Sequence, residues 1–188
     1  IPMHIHEYQA KSLLRQYEVP VPDGQVVPSD HPWPADVTAF GGLPLVVKAQ
    51  VHAGGRGKAG GIRRVETPEQ LEQACRELLQ SHLVTPQTGP TGLPVKRLWI
   101  EPALTPCREL YLGLLVDRAT ARLCFLALAA GGSDIEEIAR SAPEQLFYVP
   151  IDAVAGLQSY QVRRIGFALE LAAGHIRQLE TIMRGMYR

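Results

Sequence analysis

The sequence predicts an α/β protein, or α+β in the looser sense, on three observations. Two β-type runs, Leu45–Gln50 and Ile62–Val65, flank a glycine-rich loop. A capped amphipathic helix follows at once, and three more β-type runs lead into a helical tail. Interleaved strands and helices of this kind make a mixed protein, and 188 residues suit one domain or two small subdomains.

Taken in order, residues 4–17 read as a helix, with Tyr8, Leu13, Leu14 and Tyr17 roughly helically spaced and Pro20 and Pro22 ending it. A loop rich in Pro, Asp and Gly comes next, and Ala35–Phe40 reads as a short helix. Thr67-Pro68-Glu69-Gln70 is a helix start: Thr67 caps, Pro68 takes the first helical position and Gln70 lies three after the cap. Leu71, Ala74, Cys75, Leu78 and Leu79 form the apolar face of that helix, which makes Cys75 a buried small hydrophobe. Thr88–Pro94 is a turn cluster. Strands are predicted at Lys96–Glu101, Glu109–Asp117 and Arg122–Ala129, the last two joined near Ala119-Thr120. Ser133–Ile138 reads as a short helix, Leu146–Ile151 as a strand, and Ser159 onward as helix with a break near Gly174.

Composition narrows the function classes. A hydrophobic content of 46% supports a real core, and a formal net charge of zero provides no global field to recruit nucleic acid or an anionic membrane. Three widely spaced cysteines without C-x-x-C argue for a reducing compartment and against a zinc site. No apolar run approaches a membrane span, and Ile1-Pro2 ahead of Met3 look foreign to a natural start. The expected location is cytoplasmic, or the mitochondrial matrix if the source is eukaryotic.

The run Val46–Val65 carries the chemistry. Lys48 lies inside an apolar strand pattern, and Gly54, Gly55, Gly57, Gly60 and Gly61 follow, carrying Arg56 and Lys58. Glycines let backbone N–H groups approach a polyanion, and the two cations add charge. Gly55 to Gly60 formally fits G-x-G-x-x-G, but that fingerprint needs a helix opening at its last glycine, and Ile62–Val65 is β-like. A P-loop fails too, because Lys58 is followed by Ala59, not Ser or Thr. A strand–glycine loop–strand phosphate cradle remains, against the alternative of an ordinary flexible basic loop. Lys48 needs an anion in its apolar strand, and phosphate would supply one; a lysine snorkelling at a strand edge is the other possibility. None of His4, His6, His31, His52, His82 and His175 has metal-type spacing with Cys or carboxylates.

Several segments together resemble the ADP-forming succinate–CoA ligase β subunits. His6-Glu7-Tyr8-Gln9-Ala10-Lys11 resembles that family's opening, Val51–Gly61 its glycine loop, Leu83–Thr88 its L-V-T-x-Q-T, and Gly131–Glu136 its G-G-x-[ED]-I-E. The set runs in order along essentially the whole chain. The resemblance implies an ATP-grasp fold, with 3–22 and 105–188 in a first subdomain and 23–104 as a second, glycine-loop subdomain. It implies a nucleotide substrate, ATP or GTP, with Mg2+; the choice between them stays open, with ATP preferred. It also implies an α-subunit partner, in a heterodimer or heterotetramer, whose histidine is phosphorylated while CoA and a dicarboxylic acid are joined. No nucleic acid or membrane partner is implied.

Carried over residue by residue, the resemblance places Lys48 on the α- and β-phosphates, with Gly55, Arg56 and Gly57 covering the phosphates through backbone donors. Glu101 to Leu104 would form the hinge for the base, and Glu109 would accept from the ribose hydroxyls. His52 is read as a structural loop residue, because the phosphorylated histidine belongs to the other subunit. The family's magnesium ligands would lie beyond Arg188, so no catalytic or metal residue is expected in this segment, which alone should be inactive. It reads as a piece of a longer chain, or as a naturally short protein. Leu104, Ala129-Ala130 and Cys107-Arg108 depart from the family pattern. Succinate is the first choice of acid, although Asp134–Ala139 and Ala155–Gln158 look closer to malate–CoA ligase. A non-catalytic nucleotide- or partner-binding module, and an unrelated phosphate or nucleic-acid binder, are the competing readings.

Overall fold

The alternation of buried and half-exposed residues along Leu45–Ala49 sets the architecture of the first half. Leu45, Val47 and Ala49 are fully buried while Val46 and Lys48 face the other way, the period of a strand with its apolar side on a core. The computed structural model describes residues 4–30, 37–131 and 135–188. They divide into two compact units, one of Ile1–Leu13 with Val21–Thr105 and one of Leu14–Pro20 with Pro106–Arg188.

In the first unit, strands β1 (Gln25–Pro28), β2 (Leu45–Ala49), β3 (Ile62–Val65) and β6 (Arg97–Pro102) form an antiparallel sheet in the order β1-β6-β2-β3. A second pair, β4 (His82–Leu83) and β5 (Leu93–Pro94), closes around the predicted turn cluster. Helix α2 (Pro68–Leu79) begins where its cap predicts: the Thr67 hydroxyl accepts from the Gln70 N–H at 3.3 Å. The box closes differently from the simplest form, since Gln70 Oε1 accepts from Glu66 N at 2.8 Å, one residue before the cap. Leu71, Ala74, Cys75 and Leu78 bury against Leu45, Val47, Leu98 and Ile100. Burial pushes the Cys75 thiol up to about 11, as fits a packing residue.

Helix α1 (Glu7–Gln16) starts three residues later than its periodicity suggests, with Gln9 Oε1 accepting from the His6 N–H at 2.8 Å. It ends ahead of both prolines in a Schellman turn: Val19 N–H bonds Leu14 O at 3.0 Å, Glu18 N–H bonds Arg15 O at 3.1 Å, and Glu18 takes φ 61°. Ala35 and Asp36 lie outside the described residues; Val37–Phe40 forms a 3₁₀ turn.

In the second unit β7 (Tyr111–Asp117), β8 (Arg122–Leu128) and β9 (Phe147–Pro150) make a three-stranded antiparallel sheet. Of the predicted Ser133–Ile138 helix, Ser133 and Asp134 lie outside the described residues, and α3 runs Ile135–Ser141. Helices α4 (Ser159–Ala168) and α5 (Ala173–Tyr187) share a core with Phe125, Val149, Ile165 and Met183. The break expected near Gly174 falls instead at 169–172. There Leu171 N–H reaches Gly166 O at 2.9 Å and Glu170 adopts φ 54° in a second Schellman turn, so Gly174 is helical. Among the described residues no helix is long and apolar enough to cross a membrane.

Candidate functional site

Lys48 sits on the sheet face opposite the α2 core, on an internal strand between β3 and β6, so the snorkelling edge lysine is ruled out. In register it stands opposite Trp99 of β6, and Glu101, two residues along, points to the same face. Trp99 and Glu101 are both buried. Helix α1 brings Glu7 and Lys11, spaced i, i+4, onto this face.

The result is a compact ionic cluster. Lys48 Nζ lies 3.2 Å from Glu7 Oε1 and 2.5 Å from Glu101 Oε1. Lys11 pairs with Glu7 at 3.1 Å and also with Glu101, and its ammonium stands 5.5 Å from the Trp99 ring centroid. Trp99 Nε1–H donates to Glu101 Oε2 at 2.6 Å. Arg56 Nη2 donates to Glu7 Oε2 at 2.7 Å, and its Nη1 to Ala49 O at 2.8 Å. Three cations thus share two carboxylates. Lys48 has anions beside it within its own chain, the carboxylates of Glu7 and Glu101.

The titrations follow from this packing. Burial raises the Glu7 carboxyl, but the charges of Lys48 and Arg56, the Arg56 hydrogen bond and the charge of Lys11 outweigh it and hold the group at about 2. Burial likewise opposes ionisation of Glu101, and bonds from Lys11, Lys48 and Trp99 still bring it below its ordinary value. Lys48 loses by burial and gains more from Glu101 and Glu7, so its pKa is raised.

The glycine loop runs from the end of β2 to β3. Gly55 and Gly60 both take φ 74°, a conformation that a side chain would strain. Ala59 N–H bonds Gly55 O at 3.1 Å, Gly60 N–H bonds Gly57 O at 3.1 Å, and Gly61 N–H bonds Arg56 O at 2.8 Å. Gln87 Oε1 accepts from Gly54 N–H at 2.7 Å, which ties the Leu83–Thr88 motif to the loop. His52, at the loop's entrance, stacks on His6 with ring centroids 3.9 Å apart. Burial, His52, Arg97 and Arg56 together lower the His6 pKa.

Of the residues singled out in the sequence, Lys48 and Arg56 come together through Glu7 and Glu101 joins them through Lys48, with Gly55 and Gly57 on the adjoining loop. Leu104 lies just past β6 with 67% of its surface exposed. Glu109 is exposed in the second unit, ahead of β7, where its carbonyl accepts from Gly131 N–H at 2.9 Å. Glu7, Lys11 and Trp99 were not identified as site residues. The signal for the first two was present as an i, i+4 Glu–Lys pair in the opening motif. That for Trp99 was its alternation with Glu101 on one strand face.

The fold and its glycine-loop cluster define the class: the chain belongs to the ATP-grasp domain family, whose model matches residues 4–188. Its sequence is similar to proteins named succinate–CoA ligase [ADP-forming] subunit beta. The relative from Acidithiobacillus ferrooxidans is 50% identical and that from Alkalilimnicola ehrlichii 48% identical, each over 186 residues, 99% of this chain and 48% of the relative. The chain therefore spans about half the length of these curated relatives. Among solved structures it resembles ATP citrate lyase from Methanothrix soehngenii in complex with citrate and coenzyme A, with TM-score 0.70, 18% identity, and coverage of 98% of this chain and 43% of that one. A dinucleotide-forming acetyl-coenzyme A synthetase from Ca. Korarchaeum cryptofilum is similar at TM-score 0.66 and 19% identity, over 96% of this chain and 78% of that one. At these identities the two structures establish the fold.

Proposed function

We propose that this chain is the nucleotide-binding part of the β subunit of an acid–CoA ligase that forms succinyl-CoA from succinate, CoA and ATP. The observation that carries the reading is the 44–50% identity, over nearly the whole chain, to proteins bearing the succinate–CoA ligase name. The cluster supports it chemically: Lys48, and a glycine loop whose carbonyls are taken by internal bonds so that its N–H groups can face an anion, suit a polyphosphate. In this reading Lys48 and the backbone of Gly55, Arg56 and Gly57 meet the phosphates, Glu101 to Leu104 line the base, and Glu109 takes the ribose. Residues 23–104 form the glycine-loop subdomain. An α subunit supplies the phosphorylated histidine and completes the CoA and acid sites.

Magnesium belongs to the proposal without ligands in this segment. Among the described residues no three His, Cys, Asp or Glu side chains form a metal-holding group. The carboxylates beside Lys48 are already engaged by cations. Magnesium would neutralise phosphate charge, and in this reading its donors are other residues than the cluster carboxylates.

The test is a substrate panel with the full αβ complex, together with nucleotide binding by the Lys48→Ala variant. Succinate-dependent ADP formation and weakened ATP binding by Lys48→Ala support the reading. Malate turnover exceeding succinate turnover would overturn the choice of acid, and unchanged ATP binding by Lys48→Ala would overturn the nucleotide site.

A further inference from the structure

We propose that Glu7 and Arg56 form a staple that fixes the glycine loop for phosphate, which makes both of them positioning residues for nucleotide binding. This rests on the nucleotide-binding reading above. The Arg56 guanidinium turns back from its own loop and spans two acceptors, Ala49 O at the end of β2 and Glu7 Oε2 on α1, at 2.8 and 2.7 Å. Its side chain is only 19% exposed, so its charge is used within the protein. Meanwhile the carbonyls of Gly55, Arg56 and Gly57 are all taken by bonds inside the loop. Among the described residues the N–H groups of those same three positions meet no acceptor.

Carbonyls tied into the loop and unspent N–H groups are the makings of an anion nest, which binds well only if its backbone is held still. The fork provides that hold. A planar guanidinium with two separate acceptors has one arrangement available, whereas an ammonium at the same place would have many. Glu7 completes the device because its other oxygen accepts from Lys48 at 3.2 Å. One carboxylate therefore sets both the loop and the strand lysine. Simple charge bookkeeping predicts the opposite role, since removing Glu7 makes the cluster more positive and should tighten anion binding.

The experiment compares Glu7→Gln, Arg56→Lys and Lys48→Ala in the full-length chain within its ligase complex. It measures ATP affinity directly, and KM for ATP alongside KM for CoA and for the acid. The staple predicts that Glu7→Gln and Arg56→Lys each weaken ATP by about tenfold, the scale of one charge-assisted hydrogen bond. The KM values for CoA and acid should stay unchanged; a merely structural loss would disturb all three substrates together. Arg56→Lys decides the matter even if Glu7→Gln fails to fold, because it keeps the loop's charge and removes only the fork. Unchanged or tighter ATP binding in these two variants, with Lys48→Ala still weakened, sinks the staple alone. Unchanged binding in Lys48→Ala as well sinks the nucleotide reading and the staple with it.

Discussion

Lys48 on β2 and Glu101 on β6 meet at 2.5 Å on the sheet face that α2 does not cover. Each is more than three-quarters buried by side-chain surface, and Glu7 and Lys11 extend the pair into a cluster. Lys48→Met should destabilise the protein by about 1–3 kcal/mol, less than a fully isolated pair would lose because Lys11 and Arg56 remain beside the carboxylates. Denaturant unfolding measures that loss. At a nucleotide concentration a hundredfold over the parent's Kd, the parent should gain about 2.7 kcal/mol and the same variant distinctly less.

Stability should fall in two steps as the pH drops. The His6 pKa is depressed in the folded protein, so protonation favours the unfolded chain and stability starts to fall below the ordinary value of 6.5. Glu7 is depressed from 4.5 to about 2, so its contribution is complete above 4.5 and disappears between those limits. Glu7→Gln should shrink the second step and leave the first, since Glu101 and other carboxylates with lowered pKa still protonate in that range. Melting temperatures from pH 7 to pH 2 on both proteins check this, and a second step of undiminished size in the variant would contradict the assignment.

Gly131 is packed against the backbone that carries Glu109. A Cβ at this position would stand 2.6 Å from Glu109 C and 2.6 Å from Leu110 N, neither of which can swing aside as a side-chain tip can. Gly131→Ala should cost about 1–3 kcal/mol in unfolding experiments. If Glu109 holds the ribose, the displaced backbone should also weaken ATP more than a ribose-free anion such as triphosphate, and binding titrations with both ligands test that.

Thr67 provides a control confined to local structure. Its hydroxyl caps α2 through Gln70 N, and Thr67→Ala should lower stability by about 1 kcal/mol. Because α2 packs on the sheet face opposite Lys48, nucleotide affinity should be unaffected once the protein is folded. Urea titration and ATP titration together measure the two quantities.

Local chemistry accounts for most of what could be read in advance. Thr67-Pro68 starts α2 where the sequence predicts it, because cap and ring act on the adjacent residues. Ile62–Val65 rejects the Rossmann reading for the same local reason: it is a strand where that fingerprint needs a helix. The helix ends were harder to place. Glu18 and Glu170 occupy the left-handed positions of two Schellman turns where glycine is the usual signal, so the second break was set too late, at Gly174. β1 and the β4–β5 pair, four and two residues long, are too short for alternation to mark them in the sequence.

The sequence by itself determined that Lys48 sits in an apolar strand beside a glycine loop, because alternation and turn chemistry are properties of neighbouring residues. Only the tertiary structure decided which groups neutralise that lysine and hold that loop. Glu7 stands 41 residues from Lys48 and 49 from Arg56, and Lys11 stands 90 from Glu101. Ion pairs over such separations depend on where a helix lands on a sheet, which is set by packing of the whole unit and not by either short stretch alone.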